Sequence, residues 1–376
     1  MIGILGAGIG GLTAAIALRQ AGHEVVVFEQ AQRFARVGAD INLTPNAVRA
    51  LDGIGVGDAL RDHAARPKFR ISRMWDTGEE TSRLGMSDEA EAKYGAPQLT
   101  LHRADLMSAL EGALPSDCVR LGHRASSVTQ DESGVTIGFA DGSMVRVEAL
   151  IGADGIHSVA RTALFGQESP RFTGVVAFRA VVPAERLAGQ PNLDSFTKWW
   201  GPTPESQIVT FPLNRGRDIF IFATTAQESW RHESWTQPGS VEELRGFYAS
   251  YHPEARALLD ACDEVLKTAL WERDPMPQWS VGRVTLMGDA AHPMLPFMAQ
   301  GAGMAIEDAI VLARALTGVA MDAVPAALRR YEDARRERTA RIQLGSRANT
   351  WLRGAGNADW VYGYDSWREP LPALAA

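Results

Sequence analysis

The segment that most constrains the fold is residues 4–13, ILGAGIGGLT. Its glycines Gly6, Gly8 and Gly11 have the G-x-G-x-x-G spacing, directly after a short apolar run and at the start of a helix-forming stretch. In a βαβ unit this spacing permits a tight turn, a close approach of backbone to a pyrophosphate, and close packing of helix on strand. The free N–H groups of the helix N-terminus complete such a phosphate site. Alone, the segment fits either a nucleotide site or a structural turn.

A second apolar run, EVVVF at residues 24–28, strengthens the nucleotide interpretation. It ends at Glu29, where a carboxylate in this kind of unit accepts hydrogen bonds from the adenosine ribose. The combination predicts a dinucleotide site and leaves NAD and FAD both open.

Charge and composition exclude several classes of partner. The formal net charge of -7 and the pI near 5.7 argue against a basic phosphate-binding surface, so we expect no nucleic-acid partner. The arginine-rich run at 329–341 has acidic residues at helical spacing and predicts a solvated, ion-paired helix face. Cys118 and Cys262 form no CxxC pair and predict neither a disulfide nor a metal site.

The first apolar run is too short for a signal peptide or a membrane span, so we expect a cytoplasmic protein without membrane contact.

The later segments predict a second structural unit. Residues 170–280 contain alternating runs such as QIVTFPL and DIFIFATT, which predict a mainly antiparallel β layer with a helix near 241–260. Residues 283–289, RVTLMGD, return to a short buried strand, and helices are predicted near 303–317 and 325–350. The nucleotide domain is therefore expected to be assembled from separated segments of the chain.

Two further segments place glycine and aspartate at the end of a buried strand. They are LIGADGIHSVAR at 150–161 and LMGDAAHPMLPFMAQGAG at 286–303. Side chains at such strand ends project into the crevice where open α/β sheets bind ligands. Together with GAGIGG, and in this order, the two segments resemble those of the single-component flavoprotein aromatic hydroxylases, and most of all the salicylate hydroxylase and 6-hydroxynicotinate 3-monooxygenase branch.

The resemblance implies an α/β fold with an α+β second layer, like that of p-hydroxybenzoate hydroxylase. A Rossmann-like FAD-binding domain built from discontinuous segments would carry a mainly antiparallel β-sheet substrate domain. The FAD-binding domain is assigned to residues 1–70, 96–168 and 280–325. The substrate domain is assigned to residues 71–95 and 169–279, and the C-terminal helix and tail to residues 326–376.

The resemblance also implies the cofactors. FAD would be reduced by NADH or NADPH, and a flavin C4a-hydroperoxide formed with O2 would hydroxylate the substrate. The residues that match the FAD-binding motifs of the family are Gly6, Gly8, Gly11, Glu29, Arg103, Asp154, Gly155 and Asp289. Ser158 and Arg161 match positions associated with NAD(P)H. Because only one intact G-x-G-x-x-G occurs, the nicotinamide cofactor would bind without a Rossmann domain of its own.

A helix start is expected beside the flavin ring. Gln300, Gly301, Ala302 and Gly303 precede a predicted helix, so their backbone N–H groups can face the N1 and O2 edge of the flavin. Reduced flavin is anionic at that edge, and a helix N-terminus stabilises such a charge.

The candidates for catalysis are less specific. His292 and Pro293 lie in the GDAAHP turn, and Arg179 lies in the strand AFRAVV. A turn histidine also fits a structural hydrogen bond, a proline also fits turn shaping, and Arg179 fits a solvent-facing position as well as the pocket. The catalytic base is therefore not assigned.

The expected substrate is a small hydroxylated aromatic or hydroxypyridine, a carboxylic acid by resemblance, with decarboxylation left open. Candidate pocket residues are Asn42, Phe196, Ser206, Thr210 and Pro296. As aligned, hydroxynicotinate-type members carry histidine, cysteine, histidine and tyrosine at the first four of these positions. The differences argue against 6-hydroxynicotinate itself.

Two other functions fit the same fold. One is another FAD oxidoreductase, a reductase or a halogenase, although the W-x-W-x-I-P element of halogenases is not found in the sequence. The other is a binding protein without a catalytic flavin. A monomer and a homodimer are both compatible with the sequence, as are NADH and NADPH.

Overall fold

The computed structural model describes residues 1–34, 40–230, 237–351 and 357–374. The strands are β1 (Ile2–Leu5), β2 (Val25–Phe28), β3 (Ile41–Leu43), β4 (Phe69–Met74), β5 (Glu80–Gly85), β6 (Leu99–Leu101), β7 (Val119–Arg120), β8 (Ala125–Asp131), β9 (Gly134–Phe139), β10 (Met144–Val147), β11 (Ala149–Gly152), β12 (Arg171–Pro183), β13 (Phe196–Trp200), β14 (Gln207–Leu213), β15 (Asp218–Ala226), β16 (Pro238–Gly239), β17 (Val265–Glu272), β18 (Ser280–Val281) and β19 (Val284–Leu286). The α-helices are α1 (Ile9–Gln20), α2 (Pro45–Gly53), α3 (Gly57–Arg61), α4 (Ser87–Tyr94), α5 (Arg103–Gly112), α6 (Val159–Phe165), α7 (Val241–Phe247), α8 (Pro253–Asp260), α9 (Gly301–Leu316), α10 (Val324–Ala348) and α11 (Asp359–Tyr362). None of the helices in these ranges is long and apolar enough to cross a membrane.

A six-stranded sheet forms the first unit, in the order β18-β19-β11-β1-β2-β7. Its pairs are parallel except β18 with β19. All four residues of β1 and all four of β2 are buried, as expected for a sheet covered on both faces. The predicted Rossmann-like unit built from discontinuous segments is confirmed, since β1, β11 and β19 lie side by side although far apart in the chain.

An eight-stranded sheet forms the second unit, in the order β16-β17-β12-β15-β14-β13-β4-β5. Only β13 and β4 pair in parallel, so the predicted mainly antiparallel layer is confirmed. The single helix predicted near 241–260 is instead the two helices α7 and α8. Pro253 begins α8, because proline lacks an N–H and is tolerated only in the first turn of a helix.

The two faces of this larger sheet have different neighbours. On the outer face, Phe178 and Ile208 pack with Leu244 of α7 and Leu258 of α8. On the other face, Val175 and Ala177 of β12 pack against Leu295 and Phe297, in the turn that follows β19. The cluster of Phe196, Val209 and Phe211 lies on this second face as well. We call this second face the inner face. Because residues of a strand alternate sides, the known side of these residues gives the side of every other residue on the same strands.

Helix α10 contradicts one expectation from the sequence. The run at 329–341 was predicted to be a solvated, ion-paired face, yet Arg335 is 0% exposed and Glu332 is 4% exposed. Arg335 is buried because α10 packs against α9, whose Glu307 and Asp308 ion-pair with its guanidinium. Only part of this run is therefore a solvent face.

Candidate active site

The glycine segment folds as a turn between β1 and α1, and its three glycines are required for different reasons. A Cβ on Gly11 would lie 2.0 Å from the carbonyl oxygen of Gly6, and one on Gly6, at φ +96°, would lie 2.4 Å from that of Ala153. A Cβ on Gly8 would meet nothing within 4 Å. The space above Gly8 is thus open to a ligand, as a pyrophosphate approaching the backbone requires.

Glu29 lies at the end of β2 and is held by the backbone. Its Oε2 accepts a hydrogen bond from the Ala7 N–H at 2.8 Å, and its Oε1 accepts one from the Ala31 N–H at 2.8 Å. Each carboxylate oxygen keeps further acceptor capacity for a ribose hydroxyl. The position and chemistry of Glu29 therefore fit the adenosine end of a dinucleotide.

The segment after β11 is built around Asp154. Its Oδ2 accepts hydrogen bonds from the N–H groups of Val159 and Ala160, and its Oδ1 accepts one from the Ser158 hydroxyl at 2.5 Å. Burial raises the pKa of Asp154, while these hydrogen bonds oppose the rise. The Ser158 hydroxyl in turn caps α6 by accepting from the Arg161 N–H. Gly155, at φ +76°, completes the turn with open space where its Cβ would be.

Arg161 connects this segment to the turn after β19. Its guanidinium donates to Glu168 Oε2 at 2.5 Å and to the carbonyl of Ala290 at 3.4 Å, and the residue is 5% exposed. Ser158 and Arg161 thus support the crevice from within the protein. Their association with NAD(P)H stays a prediction.

Asp289 and Arg103 present polar groups that the described part of the chain leaves without a hydrogen-bond partner. Asp289 lies in a short 3₁₀ turn directly after β19, and Arg103 begins α5. Both residues are exposed. Their positions fit the predicted contacts with FAD, which stay a prediction.

Helix α9 begins at Gly301, two residues earlier than the sequence predicts. Its first intrahelical bond runs from the Met304 N–H to the Gln300 carbonyl at 2.7 Å, so the N–H groups of Gly301, Ala302 and Gly303 have no partner within the helix. Ala299, in the left-handed conformation at φ 54°, turns the chain into this start. The helix start therefore fits the N1 and O2 edge of a flavin.

The Gln300 side chain itself points away from that edge. Its Nε2 donates to the Thr44 hydroxyl at 2.8 Å, and its Oε1 accepts from Asn46 Nδ2 at 3.1 Å. Asn46 also donates to Glu307 at 2.7 Å. Gln300 can contribute its backbone to the flavin site, while its side chain fastens the helix start to α2.

His292 lies in a buried network with Asp308 and Arg335. Its Nε2 lies 2.5 Å from Asp308 Oδ2, and its ring packs on Trp279, with only 1% of the residue exposed. Although burial alone would raise it, His292 and Arg335 lower the pKa of Asp308 to about 2. Asp308 also accepts a hydrogen bond from the Gly288 N–H, next to Asp289. These contacts fit the structural hydrogen bond that the sequence left open for His292, and its catalytic role stays a prediction.

The two prolines differ in exposure. Pro293 is buried and its carbonyl accepts a hydrogen bond from Gln343, which fits turn shaping. Pro296 is exposed and begins the 3₁₀ turn Pro296–Met298, next to the residues that pack on the inner face. Of the two, only Pro296 is positioned to line a crevice.

Arg179 projects from the inner face, since it shares its side of β12 with Val175 and Ala177. Its guanidinium donates to the Thr268 hydroxyl at 2.9 Å. The same cross-sheet row contains Phe222 of β15 and Val209 of β14, and it continues to Lys198 of β13. Arg179 therefore faces the crevice, not solvent.

The predicted pocket residues separate into two groups. Phe196 is on the inner face, stacked on Phe211 with centroids 5.3 Å apart. Asn42, in β3, accepts a hydrogen bond from Gln98 at 2.6 Å. Ser206 and Thr210 are not brought to this face: Ser206 bonds the hydroxyl of Tyr251 in the outer cluster, and Thr210 pairs with Ile221 of that cluster.

Three polar residues of the inner face were missed or left undecided by the sequence. Lys198 is 3% exposed, donates to Asn349 Oδ1 at 3.0 Å, and places its Nζ 3.6 Å from the Trp200 ring centroid. Gln207 is 1% exposed, and neither its amide oxygen nor its amide nitrogen has a partner within the described ranges. Arg70 lies beneath Trp351, donating to its carbonyl at 3.2 Å. Gln207 and Phe211 are four positions apart on β14 and so share a side of the strand. The sequence could have grouped them if the side of either residue had been known.

The C-terminal tail closes the edge of this face, a role that the sequence did not reveal. Trp351, Trp360 and Tyr362 form a cluster with Met294 and Met298 of the turn after β19. The tail thus contacts both the turn after β19 and, through Asn349 and Trp351, the residues Lys198 and Arg70 of the sheet.

Asp40 gives the site a pH-dependent carboxylate. It directly follows residues 35–39, which lie outside the described ranges. Burial raises the pKa of Asp40 to about 6, although Arg179, Arg103 and His102 act to lower it. A raised carboxyl pKa means that the folded protein favours the protonated form. The resulting stabilisation is fully present below about pH 4 and is lost as the pH rises through about 6.

Asp40→Asn is therefore expected to remove this loss. At pH 7.5 the variant without FAD should melt about 2–5 °C above the wild type, and at pH 4 the gap should close. Differential scanning fluorimetry between pH 4 and 8 measures both. The exposed carboxylate variant Asp62→Asn serves as the matched control, and an equal gap at every pH would contradict the assignment.

Comparison with known proteins agrees with this geometry. Residues 1–344 match the family model described as FAD binding domain. The chain is 42% identical over 371 residues to 6-hydroxynicotinate 3-monooxygenase of Bordetella bronchiseptica, covering 98% of this chain and 96% of that protein. A solved salicylate hydroxylase substrate complex superposes with a TM-score of 0.85 at 29% identity, covering 100% of this chain and 98% of that one. Klebsiella pneumoniae HpxO, complexed with FAD and uric acid, superposes at 0.83 with 28% identity, covering 96% and 90%.

Proposed function

Because this chain belongs to the FAD-binding family of flavin-dependent aromatic monooxygenases, we propose that it hydroxylates the ring of a small hydroxylated aromatic or hydroxypyridine carboxylic acid. The net reaction consumes one NAD(P)H, one O2 and one proton, and it yields the hydroxylated ring, NAD(P)+ and water. The assignments of individual site residues are part of the same proposal.

The observation that carries the proposal is a pair of cationic side chains on the inner face. Lys198 and Arg70 lie on the adjacent strands β13 and β4, both nearly buried. Burial lowers the pKa of Arg70, and no carboxylate ion-pairs with its guanidinium in the described part of the chain. A buried charge without a counterion is unfavourable, so an anionic ligand at this place would be stabilising. A carboxylate on the substrate has this property.

The remaining residues divide the work between cofactor and substrate. Bound FAD would accept electrons from NAD(P)H and activate O2. It would be held by the backbone at Gly8, by the carboxylates of Glu29 and Asp289, and by the N–H groups at the start of α9. The turn at 294–298 packs against the inner face, and it would shield a substrate ring bound beside this contact from water.

A substrate panel tests the proposal. Purified enzyme is expected to contain FAD or to gain a flavin absorbance band when FAD is added. Salicylate, hydroxybenzoates and hydroxypyridine carboxylates would then be compared as stimulators of NADH and NADPH oxidation, with O2 uptake and ring products measured in parallel. Stimulated oxidation without any hydroxylated product would favour a reductase, and no stimulation by any acid would remove the proposed function.

The assembly belongs to the proposal as well. We expect a monomer or a homodimer, and analytical ultracentrifugation of the FAD-loaded enzyme distinguishes these from larger assemblies.

A further inference from the structure

Gln207 stands out among the polar residues of the inner face. Its side chain is 1% exposed, and both its amide oxygen and its amide nitrogen are without a hydrogen-bond partner within the described residues. Leaving buried polar atoms unsatisfied is destabilising, so native proteins rarely retain such a pair without a purpose. The amide therefore points to a bound group that completes its hydrogen bonds.

The surroundings of Gln207 place that group beside the flavin site. Gln207 pairs with Trp200 of β13 on one side and with Thr224 of β15 on the other, and the same row continues to Ala177. Ala177 packs with Leu295 and Phe297 of the turn after β19. The amide thus lies on the part of the inner face that this turn covers.

Lys198 is a diagonal neighbour of Gln207 across the two strands. It pairs with Val209, which lies two positions along β14 from Gln207. Such diagonal neighbours on adjacent strands are about 7–8 Å apart, within reach of one small ring. The Nζ of Lys198 is 5.9 Å from the Phe297 ring centroid, so it faces the same turn. One aromatic acid can therefore contact both residues, with its carboxylate at Lys198 and its far edge at Gln207.

The chemistry of an amide narrows the identity of that far edge. A glutamine side chain offers one donor and one acceptor in the same plane, and it pairs best with a neighbouring acceptor and donor. A 2-hydroxypyridine ring in its lactam form has a C=O next to an N–H, whereas a phenol has one hydroxyl beside a C–H. We propose that Gln207 determines specificity by recognising the lactam edge of a hydroxypyridine carboxylic acid.

This inference rests on the proposed function and selects between the substrate classes that it allows. It also revises the argument against 6-hydroxynicotinate, since Ser206 and Thr210, on which that argument partly depended, do not face the inner side. The inner-face residue that contacts the ring edge is Gln207 instead.

Two isosteric acids test the assignment, 6-hydroxynicotinate and 4-hydroxybenzoate, which differ in one ring atom beside the hydroxyl. With FAD-loaded wild type, the dissociation constant from flavin difference spectra should be about 10- to 100-fold lower for the pyridine acid, because the single hydroxyl of the phenol, beside a C–H, pairs with only one of the two amide groups. In Gln207→Leu the preference should fall to within about threefold, with the affinity for FAD unchanged.

The melting temperature of Gln207→Leu separates substrate recognition from a structural role. Because leucine removes an unsatisfied amide, the melting temperature should stay the same or rise, whereas it would fall if Gln207 stabilised the fold. Thr197→Val is the matched control, because Thr197 is on β13, on the outer face, with a buried hydroxyl that lacks a partner in the described residues. This control should keep the wild-type preference.

The outcomes separate the inference from the function beneath it. If the wild type binds and turns over both acids equally, or if Gln207→Leu retains the preference for the pyridine acid, the role of Gln207 is refuted while the hydroxylase function stands. If neither these acids nor the wider panel bind or stimulate NAD(P)H oxidation, both proposals are refuted.

Discussion

Gly8→Val is expected to abolish tight FAD binding while leaving the fold of the FAD-free chain intact. A Cβ at position 8 would meet no protein atom within 4 Å, so the chain tolerates the larger side chain. The isopropyl group would instead occupy the space that the pyrophosphate needs against the backbone. We expect the dissociation constant for FAD to rise by roughly 100-fold, about 3 kcal/mol.

Two further glycine variants make the measurement specific. Gly11→Ala places a Cβ 2.0 Å from the Gly6 carbonyl, so its melting temperature should fall even without FAD. Gly112→Ala, at the end of α5 with open space around its Cβ, should change neither property beyond a slight gain in helix stability. Flavin fluorescence quenching gives the affinity, and thermal melting of the FAD-free protein gives the stability. A Gly8→Val protein that binds FAD normally would exclude this segment as the pyrophosphate site.

The sequence predicted the FAD-binding unit well because its signals are local. The strands β1, β2, β11 and β19 are short apolar runs, each with a glycine or a carboxylate at its last residue or within the two residues that follow. Parallel strands buried on both faces have this appearance in any context. The order of three such segments along the chain was then sufficient to predict an FAD-binding unit built from discontinuous segments.

The substrate face was not predictable in the same way. Every residue of β14 is buried, so hydrophobic alternation does not indicate which side faces the flavin. Ser206 and Thr210, predicted for the pocket, lie on the outer side, and Gln207 between them lies on the inner face. A strand without alternation permits such a difference of one residue. Only the helices α7 and α8, which cover the opposite face, determine the parity.

The burial of Arg335 depends on a similar long-range effect. From the sequence, an arginine in an RRYEDARRERTAR run is a surface residue. In the fold, α9 supplies Glu307 and Asp308 at 2.7 and 2.8 Å from its guanidinium, and all three residues are 0% exposed. The network extends through Asn46 to Gln300 at the start of α9, and through Gly288 and His292 to the turn after β19 that contains Asp289.

Arg335→Met is accordingly expected to be one of the most destabilising substitutions in the chain. It leaves two buried carboxylates with too few counterions, which costs about 3–5 kcal/mol and lowers the melting temperature by about 5–10 °C. Arg329→Met, on an exposed position of the same helix, is the matched control and should stay within about 0.5 kcal/mol of the wild type. Affinity for FAD should weaken in the first variant and not in the second, because the network supports Gly288 and Gln300.

The pH dependence of this loss identifies its electrostatic origin. In the wild type, the pKa values of Glu307 and Asp308 are lowered, that of Asp308 to about 2, so their ionised forms stabilise the fold above about pH 4 and this stabilisation is lost as the pH falls toward 2. Without Arg335, Glu307 still contacts Arg338 and Asp308 still contacts His292, but the ionised carboxyls are stabilised less than in the wild type. The variant therefore loses less stability than the wild type as the pH falls. The difference in melting temperature between the two proteins should therefore be largest near pH 8 and should narrow by pH 4. A difference that is constant with pH would instead indicate lost packing around the arginine stem.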